Sequence, residues 1–293
     1  MIRAGAAILI ALLPVAAVAA NSMNVSEELD ATYGYVGDAH THGAGLKGSE
    51  IDEQSSDLKY VLCPQVNKDL LLRFGAEWQR FSFDVPDHAP VPRLLQQVSG
   101  VLGCDYQFAD EWLAHVEWEP GIYGDFENIN FRDFDAPLVL AGIWLANADL
   151  QWMLGMRVDV RSEYPVLPVA GVRWKFSDQW TLNLMLPSPR LEYQMNDHLI
   201  LYAGSGVEAG TFAMGNTFGS DNGQPRQPRL NGAIVDFFEL RVNAGLSWKL
   251  IPQVSLEAEA GFMPYRWFDF NQPDINYRSF NAPYGQVACR ARF

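Results

Sequence analysis

Apolar and polar residues alternate at period two through most of the chain, the pattern of a strand with one face in an apolar medium and one in a polar medium. The last stretch shows it. Gly285, Val287, Cys289, Ala291 and Phe293 fall on one face, and Tyr284, Gln286, Ala288, Arg290 and Arg292 on the other. The same pattern recurs in Leu70–Gln79, Trp112–Glu119, Leu150–Val160, Val166–Phe176, Trp180–Leu186, Arg190–Met195, Leu199–Thr211, Phe238–Leu250 and Val254–Phe262. It is weaker in Leu58–Val66, Leu94–Phe108 and Pro137–Ala146.

The two faces differ in kind. In the clear strands the apolar face carries no charge, and the other carries both signs. An Arg or Lys on a lipid face costs about 2–4 kcal/mol at the bilayer midplane, so a lipid face excludes charge more strictly than a soluble sandwich does. Several strands reach about ten residues, enough for a tilted membrane crossing.

Turns support this reading. Asn67-Lys68-Asp69, Ala109-Asp110-Glu111, Ala146-Asn147-Ala148-Asp149, Ser177-Asp178-Gln179, Asn196-Asp197-His198 and Ile251-Pro252-Gln253 are short and satisfy their backbone locally. Longer polar connections are expected at Gly37–Asp57, Asp84–Arg93, Gly124–Asp135, Gly215–Gly232 and Asp269–Asn281. Short connections at one end and long ones at the other belong to outer-membrane barrels. Trp112, Trp174, Trp180 and Trp248 flank short turns, where an aromatic girdle would lie.

The chain from Leu58 to Phe293 holds thirteen strands, and an even count requires one more near Leu29–Tyr35. The prediction is an all-β, antiparallel, up-and-down transmembrane β-barrel of about 14 strands, with 12 as the alternative; the hairpin around Pro187-Ser188-Pro189 decides between them.

Composition adds three points. Arg3, the apolar run Ala4–Val18 and Ala17-Val18-Ala19-Ala20 read as a cleaved signal peptide over residues 1–20, leaving 21–293 as a single barrel domain. The net charge of −14 argues against a nucleic-acid partner. Cys63, Cys104 and Cys289 are too few and scattered for a disulfide framework or a metal site.

Several stretches resemble a bacterial outer-membrane β-barrel family of unknown function. They are Tyr164-Pro165-Val166-Leu167-Pro168-Val169-Ala170-Gly171, Phe176-Ser177-Asp178-Gln179-Trp180, Leu186-Pro187-Ser188-Pro189-Arg190-Leu191-Glu192-Tyr193 and Gly206-Val207-Glu208-Ala209-Gly210-Thr211-Phe212. The resemblance covers roughly Leu58 to Phe293. It implies a barrel in the bacterial outer membrane and brings no catalytic residue.

Functional content is therefore expected in the lumen. Inward basic residues are Arg73, Arg157, Arg173, Arg190, Arg241, Arg290 and Arg292. Inward acids are Glu77, Glu117, Glu119, Asp159, Glu192, Glu208, Glu239, Glu257 and Glu259, with His115 among them. The expectation is a narrow channel for passive passage of small polar solutes. A closed structural or binding barrel is the alternative.

A lipid-modifying enzyme is the third reading, on the His115 and Glu117 spacing, though no Ser is visibly paired with that histidine. Glu117 with Glu119, and Glu257 with Glu259, could pair as acid and base, but any strand lining a wet lumen gives the same spacing. His40-Thr41-His42 could hold a metal only with a further ligand. No cofactor is expected. The expected partners are outer-membrane lipid and lipopolysaccharide, and the barrel-assembly machinery through the strand ending at Phe293. The oligomeric state is not legible.

Overall fold

In the computed structural model the described residues are 24–43, 46–86, 89–221, 224–225, 229–271 and 275–293. The predicted signal peptide lies outside them. The chain forms a closed antiparallel barrel of 14 strands. They are β1 (Val25–Gly43), β2 (Leu46–Asn67), β3 (Leu70–Asp84), β4 (Leu94–Ala109) and β5, in two pieces (Trp112–Trp118 and Gly121–Gly124). Next come β6, also in two pieces (Phe134–Asp135 and Leu138–Asn147), β7 (Leu150–Val158), β8 (Val166–Lys175), β9 (Trp180–Asn183) and β10 (Arg190–Gln194). The last are β11 (Leu199–Ala213), β12 (Ile234–Ile251), β13 (Val254–Phe270) and β14, in two pieces (Ile275–Phe280 and Ala282–Arg292).

Each strand pairs with its chain neighbour, and β1 closes the ring on β14, from Glu28 opposite Arg292 to Val36 opposite Tyr284. The doubtful hairpin is present as β9 and β10, paired from Trp180–Tyr193 to Asn183–Arg190. Two expected connections are strands instead. Gly37–Asp57 is mostly the paired tops of β1 and β2, and Asp269–Asn281 contains the first piece of β14. Both are polar on their outward face, and that polarity makes them read as loops.

The wall is uneven. β11 to β14 and β1 to β4 are long, whereas β7 to β10 run from four to ten residues. Above the short side, the long strands make a ring of their own. The second piece of β5 pairs with β4 through Gln96–Gly124 to Ser99–Gly121, and Gly124 meets Ala213 at the top of β11. The wide barrel thus narrows at its loop end to β11–β14, β1–β4 and one short piece.

The narrowing has a local cause. Register shifts fall in β1 between Val36 and Ala39, and in β12–β13 where Leu240 opposite Tyr265 is followed by Val242 opposite Phe262. β14 breaks at Asn281, which sits at φ 60, the left-handed region that Asn tolerates better than most residues. Bulges bend a strand and raise its twist. Here they lie side by side and enclose a small cluster of Val36, Ala39, Met263, Ala282 and Tyr284.

The outward face of the wide barrel is apolar, with Phe74, Leu102, Leu154, Val242, Leu256 and Val287 exposed. Trp112, Trp174, Trp180 and Trp248 are exposed beside the short turns, and Trp112 stacks on Phe108 and Trp144.

Candidate functional site

The candidate site is the barrel interior, which changes character from the turn end to the loop end. At the turn end it is wet. Arg292 Nη2 donates to Asp30 Oδ2 at 2.8 Å, and Arg290 Nη2 lies 3.1 Å from Glu257 Oε2; both arginine side chains remain more than two-fifths exposed. Arg173 is exposed, and Arg157 reaches Glu119 at 3.4 Å. Arg73 donates to Glu28 at 2.8 Å and to Glu117 at 3.2 Å, with Asp105 at 3.6 Å. His115 Nδ1 is 2.6 Å from Asp105 Oδ1, so its partner is Asp105, whereas Glu117 is held by Arg73 and Lys59.

Midway up, Lys59 Nζ gathers Glu117 at 2.8 Å, Glu77 at 3.1 Å and Glu119 at 3.4 Å. Arg190 Nε donates to Glu192 at 2.7 Å, and Arg190 Nη1 is 3.6 Å from Glu257. Glu259 is served by hydroxyls rather than cations: Tyr202 donates at 3.0 Å, and Tyr284 also donates to it. Glu208 accepts from Gln79 at 3.4 Å and from Arg241 Nη1 at 3.3 Å.

At the level of the bulges, four fully buried charges form a closed square. Arg241 Nη2 donates to Glu53 at 3.0 Å, and Arg241 Nε donates to Glu239 at 2.5 Å. Arg266 Nε donates to Glu239 at 2.6 Å, and Arg266 Nη2 lies 2.6 Å from Glu53 Oε2. Each carboxylate thus faces two guanidinium groups, the condition under which a buried charge is tolerated. Arg241 also sits 4.8 Å from the centre of the Tyr284 ring, and Arg266 5.3 Å from that of Phe83.

Above the square the interior is apolar. Phe81, Phe83, Phe212, Phe237, Phe268 and Phe270 are at most 4% exposed and pack edge-on or tilted; Phe81 and Phe237, for instance, have centroids 4.7 Å apart. Val85, Val91, Met214 and Leu230, from the connections above, complete the cluster. The same inward faces that carry charge lower down carry rings here. A barrel of about eight strands is just wide enough for its own side chains to fill.

Beside this filled ring, the β7–β8 connection leans from the short wall to the outer side of β12. Glu163 N donates to Asp236 Oδ2 at 2.8 Å, and Ser162 Oγ does so at 3.2 Å. Thr211 Oγ1 holds the other carboxylate oxygen at 2.7 Å, and Arg161 Nη1 donates to Phe134 O at 3.0 Å. Asp159, at the base of this connection, is buried and accepts from Arg161 N at 3.1 Å. In the β5–β6 connection, burial raises the pKa of Asp125 against the pull of hydrogen bonds from the Gly215 and Glu127 amides.

The interior also holds Glu53, Arg266, Lys59, Glu28, Asp30, Asp105, Tyr202 and Tyr284, which are not among the lumen-lining residues expected from the sequence pattern. Lys59 and Glu53 follow from carrying the parity of Leu58, Tyr60 and Leu62 upward. Arg266 lies beyond the β13 bulge, where parity reverses. His40 and His42 lie on β1 rather than in a loop, with His40 3.8 Å from Glu50. Among the described residues no group of three His, Cys, Asp or Glu side chains could hold a metal.

The family described as Domain of unknown function (DUF6268) matches residues 106–283, more than half of the chain. The chain belongs to that family. Among solved structures, it is similar to an outer membrane channel from Pseudomonas putida F1, with a TM-score of 0.50 and 9% identity over 94% of this chain and 97% of that one. It is also similar to the CymD monoaromatic hydrocarbon channel (TM-score 0.47, 8% identity, 92% and 88% covered) and the NanC porin (0.40, 11%, 90% and 98%). At these identities the likeness is one of fold. No curated protein matches the chain.

Proposed function

We propose that the protein is a bacterial outer-membrane barrel that passes small polar solutes and is shut at its loop end in the conformation described here. The observation that carries this reading is the unequal filling of the interior. The narrow ring is packed with aromatic rings, whereas the wide barrel is lined by charges that keep contact with water, among them Arg157, Arg173, Arg290 and Arg292. A barrel meant only as a plug has no use for such a lining. The route runs beside the filled ring, and the β7–β8 connection, clasped to Asp236, covers it. Midway, carboxylates outnumber cations: Asp57, Glu77, Glu117, Glu119, Glu192, Glu208, Glu257 and Glu259 stand with Lys59, Arg190 and the edge of Arg241, so the passage favours cations.

Proteoliposomes test the reading. Asp236→Ala vesicles should swell in small sugars and amino acids and show a cation-selective reversal potential in a KCl gradient. Vesicles that stay tight in every solute refute passage.

The closed structural barrel is the second reading, favoured by the buried charge square and the aromatic column; it requires that tight result. Assembly is the other expectation. Phe293 is outward and exposed at the end of β14, where assembly machinery would meet it. Deleting Phe293 should lower the amount of folded, heat-modifiable protein in the outer membrane several-fold. Unchanged insertion contradicts that role.

A further inference from the structure

The outward face of the barrel ends differently on its two sides. One row of paired residues crosses five strands: Leu58 opposite Trp78, Trp78 opposite Val98, Val98 opposite Ile122, and Ile122 opposite Phe134. On β2 and β3 the outward residues above this row turn polar at once. They are Ser56, Gln54 and Asp52 on β2, and Arg80, Ser82 and Asp84 on β3. On the short side the apolar face runs on into the connections. Phe131 is 89% exposed and stacks on Phe134, with ring centroids 6.2 Å apart. Val160 is 80% exposed, and Tyr164 and Ile129 are also exposed. Val160 and Tyr164 lie directly above Val158 and Val166, which pair with each other at the top of β7 and β8.

Four carboxylates of these connections are spent on backbone amides, while Glu127 and Glu163 stay exposed. Asp125 accepts from Gly215 N at 2.6 Å, Asp133 from Asn130 N at 2.6 Å, Asp135 from Ala136 N at 2.7 Å and Asp159 from Arg161 N at 3.1 Å. A connection surrounded by water would turn its carboxylates out and its rings in. Here four of the carboxylates are taken up by amides, and Ile129, Phe131, Val160 and Tyr164 turn out.

We infer that the tips of the β5–β6 and β7–β8 connections, at Ile129, Phe131, Val160 and Tyr164, insert into the outer leaflet of the membrane and make the short wall tall enough for the bilayer. The occupant is lipid acyl chain, because Val160 and Tyr164 stand directly above the lipid-facing pair Val158 and Val166, and Phe131 stacks on Phe134 at the end of the lipid-facing row; Arg132, between those two rings, donates to Gly232 O. β7 and β8, under the Val160 and Tyr164 tip, have nine and ten residues, but next to them β9 and β10 supply only four and five, fewer than the roughly 9–11 of a full crossing. An apolar rim compensates for such mismatch. The inference rests on the membrane-barrel reading above.

The test uses single cysteines in a chain whose Cys63, Cys104 and Cys289 are changed to Ala. An environment-sensitive fluorophore is placed at Phe131→Cys or Val160→Cys in vesicles containing lipid with a nitroxide high on the acyl chain. Phe74→Cys, mid-wall on the lipid face, is one control, and Gln54→Cys, on the polar side, is the other. Quenching at positions 131 and 160 should match or exceed that at 74 and be at least threefold that at 54. Quenching at 131 and 160 equal to that at 54, with 74 still quenched, overturns the rim and leaves the barrel standing. Absence of quenching at 74 overturns the membrane reading itself. If the cysteine-free chain fails to fold, Phe131→Asp with Val160→Asp in the otherwise unchanged chain serves instead. Folding yield into vesicles should fall severalfold relative to Gln54→Asp, and equal yields overturn the rim.

Discussion

On β12 the inward residues Ser247, Gly245 and Asn243 line a wet space, and Phe237 and Val235, on the same face of the same strand, lie in a packed core. β3 makes the same change between Gln79 and Phe81, and β11 between Glu208 and Phe212. The alternation never breaks on these strands, so pleat and register are not what differ. What differs is the width of the barrel around the face. Two neighbouring bulges, the break of β14 at Asn281 and the inward turn of β5 reduce a ring of 14 strands to one that its own side chains fill. The charge square of Glu53, Glu239, Arg241 and Arg266 sits at this step and neutralises itself where the interior loses its water.

The contrast makes graded predictions. In the upper half, Phe237→Ala should cost about 3–5 kcal/mol by chemical unfolding in detergent, because it empties the middle of a close-packed column. Arg266→Ala should cost a similar ~3–5 kcal/mol, since it leaves the two buried carboxylates Glu53 and Glu239 to share the single guanidinium of Arg241. In the lower half of the same strand, Ser247→Ala should stay within about 0.5 kcal/mol. If Ser247→Ala and Phe237→Ala cost the same, the two halves are not distinct. Asp236→Ala removes the acceptor of three donors and should cost about 1–3 kcal/mol, with faster hydrogen exchange confined to residues 159–165. Arg292→Ala, at an exposed pair, should cost under about 1 kcal/mol.

These comparisons show what sequence could carry. Parity made the wide barrel legible: the outward set from Phe74 to Val287, the need for a strand at Leu29–Tyr35 and the count of 14 all follow from period two. It failed at two kinds of place. Where the outward face leaves the membrane, as at Asp52, Gln54 and Ser56, both faces lose the apolar contrast and a strand reads as a loop; Glu53 was lost with it. Where a bulge inserts a residue, as before Arg266, parity reverses without a local sign in composition. The aromatic column was hidden for a third reason. Phe81, Phe83, Phe237 and Phe268 look like any apolar strand residues until the narrowing of the barrel is known, and that narrowing depends on Gly124 meeting Ala213 far away in the chain.

The central claim is that this barrel is a shut passage whose outer cover is the connection clasped to Asp236. Planar-bilayer recordings of the unaltered protein and Asp236→Ala, side by side, test it most directly. The unaltered protein should show rare, brief openings, and Asp236→Ala should stay open for most of the record at the same unit conductance. Silence from both at every voltage, or identical steady currents from both, contradicts the account.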